Sequence, residues 1–243
     1  MKMKKIIALI LALCCLFAVV SCSGNPNLDE ASAAQIEAVL RMIDDSIPTK
    51  SVTETIQTIG NNVVIKSKAS LVTGQIDGKA VSKYDGQYSS LRAVGNAFNM
   101  TEPEIESRWY VEGLGVSTDK GQTYDETKGD FAPNEGFIKL KISQKIVSEA
   151  SYDEKTGILV MKIDKENATK VVSPYLERGQ TIDSDLVVTI VTAGGRITGI
   201  KLEYTIPAHT IDVENSDVQM EVQDTQVVID AKYEYNHQKI TLE

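Results

Sequence analysis

The stretch from Asp183 to Ile206, DSDLVVTIVTAGGRITGIKLEYTI, leaves little freedom in how it folds. Two runs rich in β-branched residues flank Gly194-Gly195, and a two-residue turn that needs positive φ is cheap for glycine. The spacing predicts a β-hairpin that pairs Val187 with Leu202, Thr189 with Ile200 and Val191 with Thr198 on one face. The other face then pairs Leu186 with Glu203, Val188 with Lys201 and Ile190 with Gly199. On this pairing the face holding Val187, Val191, Ile200, Leu202 and Tyr204 is apolar and turned inward, while the other is mixed and partly wet. These five residues are candidates for core packing and for lining an apolar ligand.

Strand signals recur along most of the chain after Pro48. Ser51 to Ile59, Val63 to Ile76 and Lys79 to Leu91 read as strands, separated by Gly60-Asn61-Asn62 and by the turn signal Asp77-Gly78. Ile105 to Val116, with the only tryptophan, Trp109, reads as another, turned back at Asp119-Lys120-Gly121. Val147 to Tyr152 and Ile158 to Asp164 form a hairpin, and Val218 to Val222 and Val227 to Tyr235 complete the series. Before Pro48 the period is helical. Ala33, Ile36, Val39 or Leu40, Ile43 and Ile47 recur every three or four residues, so Leu28 to Ile47 reads as an amphipathic helix with Asp29 and Glu30 at its positive end. Lys165 to Glu177 reads as a short helix interrupted at Pro174. Ser90 to Glu104 reads as a loop or a partly helical segment; residues 134 to 146 fit both periods and lean to helix, because Pro133 and Asn134-Glu135 precede them. The result is an α+β chain: about eight to ten antiparallel strands in a curved sheet, an N-terminal helix and one or two inserted helices on one face.

The N-terminus fixes a compartment. Lys2, Lys4 and Lys5 precede an uncharged apolar run of 15 residues, Ile6 to Val20, which suits an export signal and is short for the ~20 residues of a membrane span. The run ends in Val19-Val20-Ser21-Cys22, which resembles the lipobox of bacterial lipoproteins. The resemblance implies that residues 1–21 are removed, that the Cys22 thiol carries diacylglycerol with fatty acids such as palmitate, and that the protein is held on the extracytoplasmic face of the cell membrane by that lipid. Residues 22–27 are then the lipidated cysteine and its tether, and 28–243 a single folded domain.

Composition narrows the chemistry. Cys14 and Cys15 leave with the signal and Cys22 carries lipid, so disulfides, thiolate metal sites and cysteine nucleophiles are excluded from the mature chain. Loss of the three signal lysines leaves 22 Lys+Arg against 34 Asp+Glu, a net charge of −12, which repels nucleic acid. His209 and His237, the only histidines, belong to no motif with a nucleophile or metal-ligand spacing. Asp119, Asp125, Glu126 and Asp130 cluster in a loop without the spacing of a calcium site and read as a solvated turn. No metal, cofactor or catalytic group is expected, and the chain is not expected to be an enzyme.

In the order of its elements, with residues 182 to 206 and 218 to 235 carrying most of the match, the chain resembles the LolA/LolB lipoprotein-localisation fold, which the LprG/LppX glycolipid-binding lipoproteins share. The resemblance implies a sheet curled into a half-barrel, helices across its concave face, and a cavity between them for acyl chains. The expected function is a membrane-anchored, non-catalytic lipoprotein that binds a lipid or other apolar ligand as carrier, sensor or chaperone. The alternative is an envelope interaction or structural lipoprotein with a filled core, which uses its acidic surface and strand edges to bind another envelope protein. A sheet face with more apolar residues than the helices cover favours the first; a solid core with an exposed apolar patch favours the second.

Overall fold

The computed structural model describes residues 29–94, 97–127, 137–176, 180–212, 219–236 and 240, so Cys22, Asp130 and His237 lie outside the described residues. The chain forms β1 (Asp29–Glu30), helix α1 (Ala33–Asp45), β2 (Lys50–Ile59), β3 (Asn62–Ile76), β4 (Lys79–Val94), β5 (Ala97–Met100), β6 (Glu104–Val111) and β7 (Gly115–Ser117). It continues with β8 (Val147–Asp153), β9 (Ile158–Ile163), helix α2 (Lys165–Val172), β10 (Leu186–Ala193), β11 (Arg196–Ile206), β12 (His209–Asp212), β13 (Gln219–Val222) and β14 (Thr225–Glu234). The fold is α+β, an antiparallel sheet with two short helices. Its strands run in the order β1-β8-β9-β10-β11-β14-β2-β3-β4-β6-β7, β5 adds to β4, and β12 pairs with β13 separately.

Helix α1 starts later than the periodicity of Leu28 to Ile47 suggests. Ser32 and Gln35 form a capping box, in which the Ser32 N–H donates to Gln35 Oε1 at 2.8 Å and the Gln35 N–H to Ser32 Oγ at 3.3 Å. Asp29 and Glu30 are therefore not the helix's first turn; they pair with Tyr152 and Ser151 of β8. Two further segments differ from their sequence reading. The described residues of 90–104 include no helix: β4 runs on to Val94 and pairs with β5, Leu91 opposite Met100. In 134–146, the described part is neither α-helix nor strand. Phe137, Ile138 and Leu140 are all buried, a spacing that matches no regular period, and a 3₁₀ turn follows at Gln144–Ile146. This run is held by a long-range bond, the Ile138 N–H donating to the Tyr233 hydroxyl at 3.1 Å, and Phe137 packs on the Tyr233 ring at 4.6 Å.

One face of the sheet carries both helices. Ile36, Val39 and Ile43 of α1 and Ala168, Val171 and Val172 of α2 share a single core with the inward residues of β9, β10, β11 and β14. Every other residue of these strands points into it: Leu159, Met161 and Ile163; Leu186, Val188 and Ile190; Val227, Ile229, Ala231 and Tyr233. This core belongs to the half of the sheet from β8 to β14. Among the described residues strands β2 to β7 contribute two small clusters, Leu71 with Val116 on the helix side and Val81, Val111 and Ile240 on the other.

The opposite face is polar and charge-laddered. In register across it stand Lys201, Asp230, Glu54 and Lys68, so two carboxylates meet on adjacent strands between two lysines. Lys68 Nζ lies 2.8 Å from Glu54 Oε1, and this bond holds the Glu54 carboxyl below its usual range. Asp230 goes the other way: burial pushes its pKa up, outweighing the attraction of Lys232 and Lys201, and Glu54 and Glu203 add to the rise. A carboxyl whose folded pKa exceeds its unfolded value costs stability above the folded pKa and stops doing so as pH falls through it. Asp230→Asn is therefore expected to raise the denaturation midpoint at pH 7. The gain should shrink as the pH is lowered toward 4, as read from urea titrations of both proteins at several pH values.

Candidate functional site

The hairpin of β10 and β11 forms where the sequence places it, but its faces are exchanged. Next to the turn the expected pairing holds, with Ala193 opposite Arg196 and Thr192 opposite Ile197. A β-bulge at Val191/Thr192 then shifts the register by one residue, and Val188 faces Leu202 and Ile190 faces Ile200. Ile200, Leu202 and Tyr204 thus point into the core beside Leu186, Val188 and Ile190, whereas Val187 and Val191 lie half-buried on the opposite face. The five candidate ligand residues do not share a face. The three that point inward are enclosed by their own neighbours: Ile200 and Leu202 are fully buried, and burial pushes the Tyr204 phenol up to about 12. They are core.

Of the other sequence candidates, Asp119 and His209 are occupied. Asp119 accepts from the hydroxyls of Thr123 and Ser117 at 2.6 and 2.7 Å and from the N–H groups of Thr123 and Gln122. These bonds, Thr123's first, hold its carboxyl far below the usual range and make it a loop staple. Among the described residues no three His, Cys, Asp or Glu side chains stand close enough to share a metal. His209 Nδ1 faces the Pro207 carbonyl oxygen at 3.0 Å. No described helix is long and apolar enough to cross a membrane.

The helix-bearing face continues beyond the core with a different lining. Ala231 of β14 is followed in register by Thr53, Ala69, Gly86 and Glu106, and Ile229 by Thr55, Ser67, Tyr88 and Glu104. Small and hydroxylated side chains replace the aliphatic ones as the face passes from β14 to β4. Here lies a groove of about 340 Å³, floored by Ser67, Ala69 and Gly86 and walled by Tyr84, Tyr88 and Glu106. Gly86 is small for a reason: a Cβ there would sit 2.8 Å from the Tyr84 hydroxyl, because the Tyr84 side chain folds back over it. The Arg108 guanidinium covers the same ring at 4.4 Å, and its Nε lies 3.1 Å from Glu106 Oε1. A second, wider depression of about 630 Å³ beside Gly60, Thr205 and Gln226 is polar, and its Asp224 carboxylate accepts the Ala208 N–H at 2.8 Å.

Exposed apolar side chains gather at the same end of these strands. Among the described residues the large ones left exposed are Ile47, Val63, Tyr88, Met100, Ile105 and Leu114, and four of the six belong to the corner where β3 begins and β4 meets β5 and β6. Ile105 is 74% exposed although it lies within a strand. The sequence reading missed this corner because it sought a run of aliphatic residues. The available signal was the alternation of small with charged residues in Lys66-Ser67-Lys68-Ala69, a strand with no bulky face. No protein-family model matches this sequence, and no curated protein matches it significantly.

Proposed function

We propose that this chain is a membrane-anchored, non-catalytic lipoprotein of the cell envelope that holds another envelope protein on the open part of its sheet. The observation that carries the reading is the contrast between the two halves of the helix-bearing face. Under α1 and α2 the core is filled, with Leu159, Met161, Ile163, Leu186, Ile190 and Leu202 wholly buried, whereas the uncovered half is a small-residue groove ending at exposed Tyr88, with Met100 and Ile105 exposed on the reverse face of the same corner. Fully buried side chains leave no room for acyl chains at that place. The lipobox-like Val19 to Cys22 supports anchoring through diacylated Cys22 on the extracytoplasmic face, and the mature charge argues against a nucleic-acid partner. The order of elements supports the LolA/LprG-like form, in which the sheet curls as a half-barrel with the helices on its concave face.

A second reading, an apolar-ligand carrier, draws support from the groove itself, where Tyr84 and Tyr88 rise over a floor of Ser67, Ala69 and Gly86. A ligand there would lie beside the helices, not beneath them. Native mass spectrometry of the domain from Ser23 to Glu243 separates the two. A clean apo mass, with no uptake of a fluorescent fatty acid, is the expected result; a stoichiometric adduct removed by solvent extraction would establish the carrier. Labelling of intact cells with a palmitate analogue, lost in Cys22→Ala, tests the anchor.

A further inference from the structure

The edges of the sheet are mostly closed by short elements. β1 covers the end of β8, β7 covers Trp109 to Val111 of β6, and Asp125 bridges to Val116 of β7. Ahead of that, Glu104 to Ser107 of β6 pair with β4 on one side and pair with no strand on the other among the described residues. Which main-chain groups face that open side follows from two bonds. The Glu112 N–H donates to Ala80 O at 2.9 Å, so even-numbered residues of this stretch turn their N–H and C=O toward β4; the Leu114 N–H donates to Val111 O at 2.9 Å, so odd-numbered residues turn theirs outward. Ile105 and Ser107 therefore present two N–H and two C=O groups along the edge. Side chains alternate with them: Glu104 and Glu106 lie on the groove side with Tyr88, and Ile105 lies on the other face.

We propose that this edge takes up an extended segment of another protein as an added strand. The inference rests on the protein-binding reading above and names the site and the chemistry of the partner. Strand addition supplies affinity through main-chain bonds and specificity through alternate side chains. A segment beside β6 sets one row of its side chains against Glu104 and Glu106, which are 66% and 60% exposed and meet Arg92 at 3.6 Å and Arg108 at 3.1 Å, surface pairs with which an incoming basic side chain competes, and the other against Ile105. The fitting partner alternates basic and apolar residues. A second copy of this chain does not fit through its own β6. β7 occupies the lane beside Trp109 to Val111, and the Thr101 N–H, bonded to Ser90 O at 2.8 Å, keeps the chain before β6 in line with it, so an antiparallel copy would drive that segment into β7.

The test uses the full lipidated chain in detergent micelles and two blocked nine-residue probes, one alternating lysine with valine and one alternating glutamate with valine, read by fluorescence anisotropy. The lysine probe is expected to bind saturably and at least ten times more tightly than the glutamate probe. Ser107→Pro removes an outward N–H and keeps the main-chain bonds to β4, losing on that side only the Ser107 hydroxyl's bond to Asp85, so it should weaken binding at least tenfold, while Ser107→Ala, which loses that hydroxyl alone, and Lys155→Ala, in the β8 to β9 turn, should not change it. The double variant Glu104→Lys, Glu106→Lys should reverse the preference and does not depend on how proline is tolerated. The proposal is overturned by absence of saturable binding, by binding indifferent to both sets of variants, or by a wild-type dimer that Ser107→Pro dissociates. A co-purifying lipid adduct would sink the protein-binding reading itself. Loss of the edge effect, with cross-links in cells still mapping to Tyr88 and Met100, would sink strand addition alone.

Discussion

Leu202→Ala is expected to lower the unfolding free energy of the domain by about 3 kcal/mol, while Val187→Ala lowers it by less than about 1 kcal/mol. Both are aliphatic residues of one hairpin, and a register counted outward from Gly194-Gly195 makes them partners on the same buried face. The bulge at Val191/Thr192 sets them on opposite faces: Leu202 is fully buried among Ile229 and the α1 side chains, and Val187 is half-buried over charged neighbours such as Glu203. Removing the buried side chain loses its transfer free energy and leaves a cavity that close-packed neighbours only partly fill. Removing the half-buried one exposes a few methyl-sized patches that water already reaches. Urea unfolding at pH 7 measures both, and comparable losses would restore the uninterrupted register and return Val187 to the inner face.

That bulge also marks the limit of what this sequence makes legible. Polarity alternation identified the β10 to β11 hairpin and its turn, because two glycines between β-branched runs leave few alternatives. Ile197 and Ile200 are both buried although three residues apart, which strict alternation forbids, and Gly199 in mid-strand is the one local sign that the period breaks there. The start of α1 was legible in principle through Ser32 and Gln35, but the apolar period runs past it in both directions and conceals the cap. The strand order was not legible. β14, last in the chain, lies between β11 and β2, and no local pattern encodes a pairing between Ala231 and Thr53. The groove follows from that pairing. Thr53, Ala69 and Gly86 look like weak strand residues until β14 brings them into line with a filled core and so makes them the floor beside it.

Gly157→Ala is expected to destabilise the domain by about 4 kcal/mol, against about 1 to 2 kcal/mol for Gly195→Ala, although both positions have the same left-handed backbone. Their φ values are +67° and +73°. The shared cost is that of holding alanine in this region. At Gly195, whose added Cβ would meet nothing within 4 Å, that is the whole cost. At Gly157 the Cβ would collide with the Thr192 carbonyl oxygen and lie 2.7 Å from its Oγ1, and neither can retreat without loss. The Thr192 N–H and hydroxyl both donate to the Gly157 carbonyl, at 2.9 and 3.0 Å, so moving the turn away breaks two bonds of roughly 1 kcal/mol each. These bonds join the β8 to β9 turn to β10 where the register shifts, and Thr192 is the first residue on the turn side of the bulge. The bulge is thus fixed from outside its own hairpin by a contact that only glycine permits. Thermal melts of the two variants read the difference directly. Equal shifts would mean that Thr192 yields freely, and the register of β10 on β11 would then have to be set by the buried face alone.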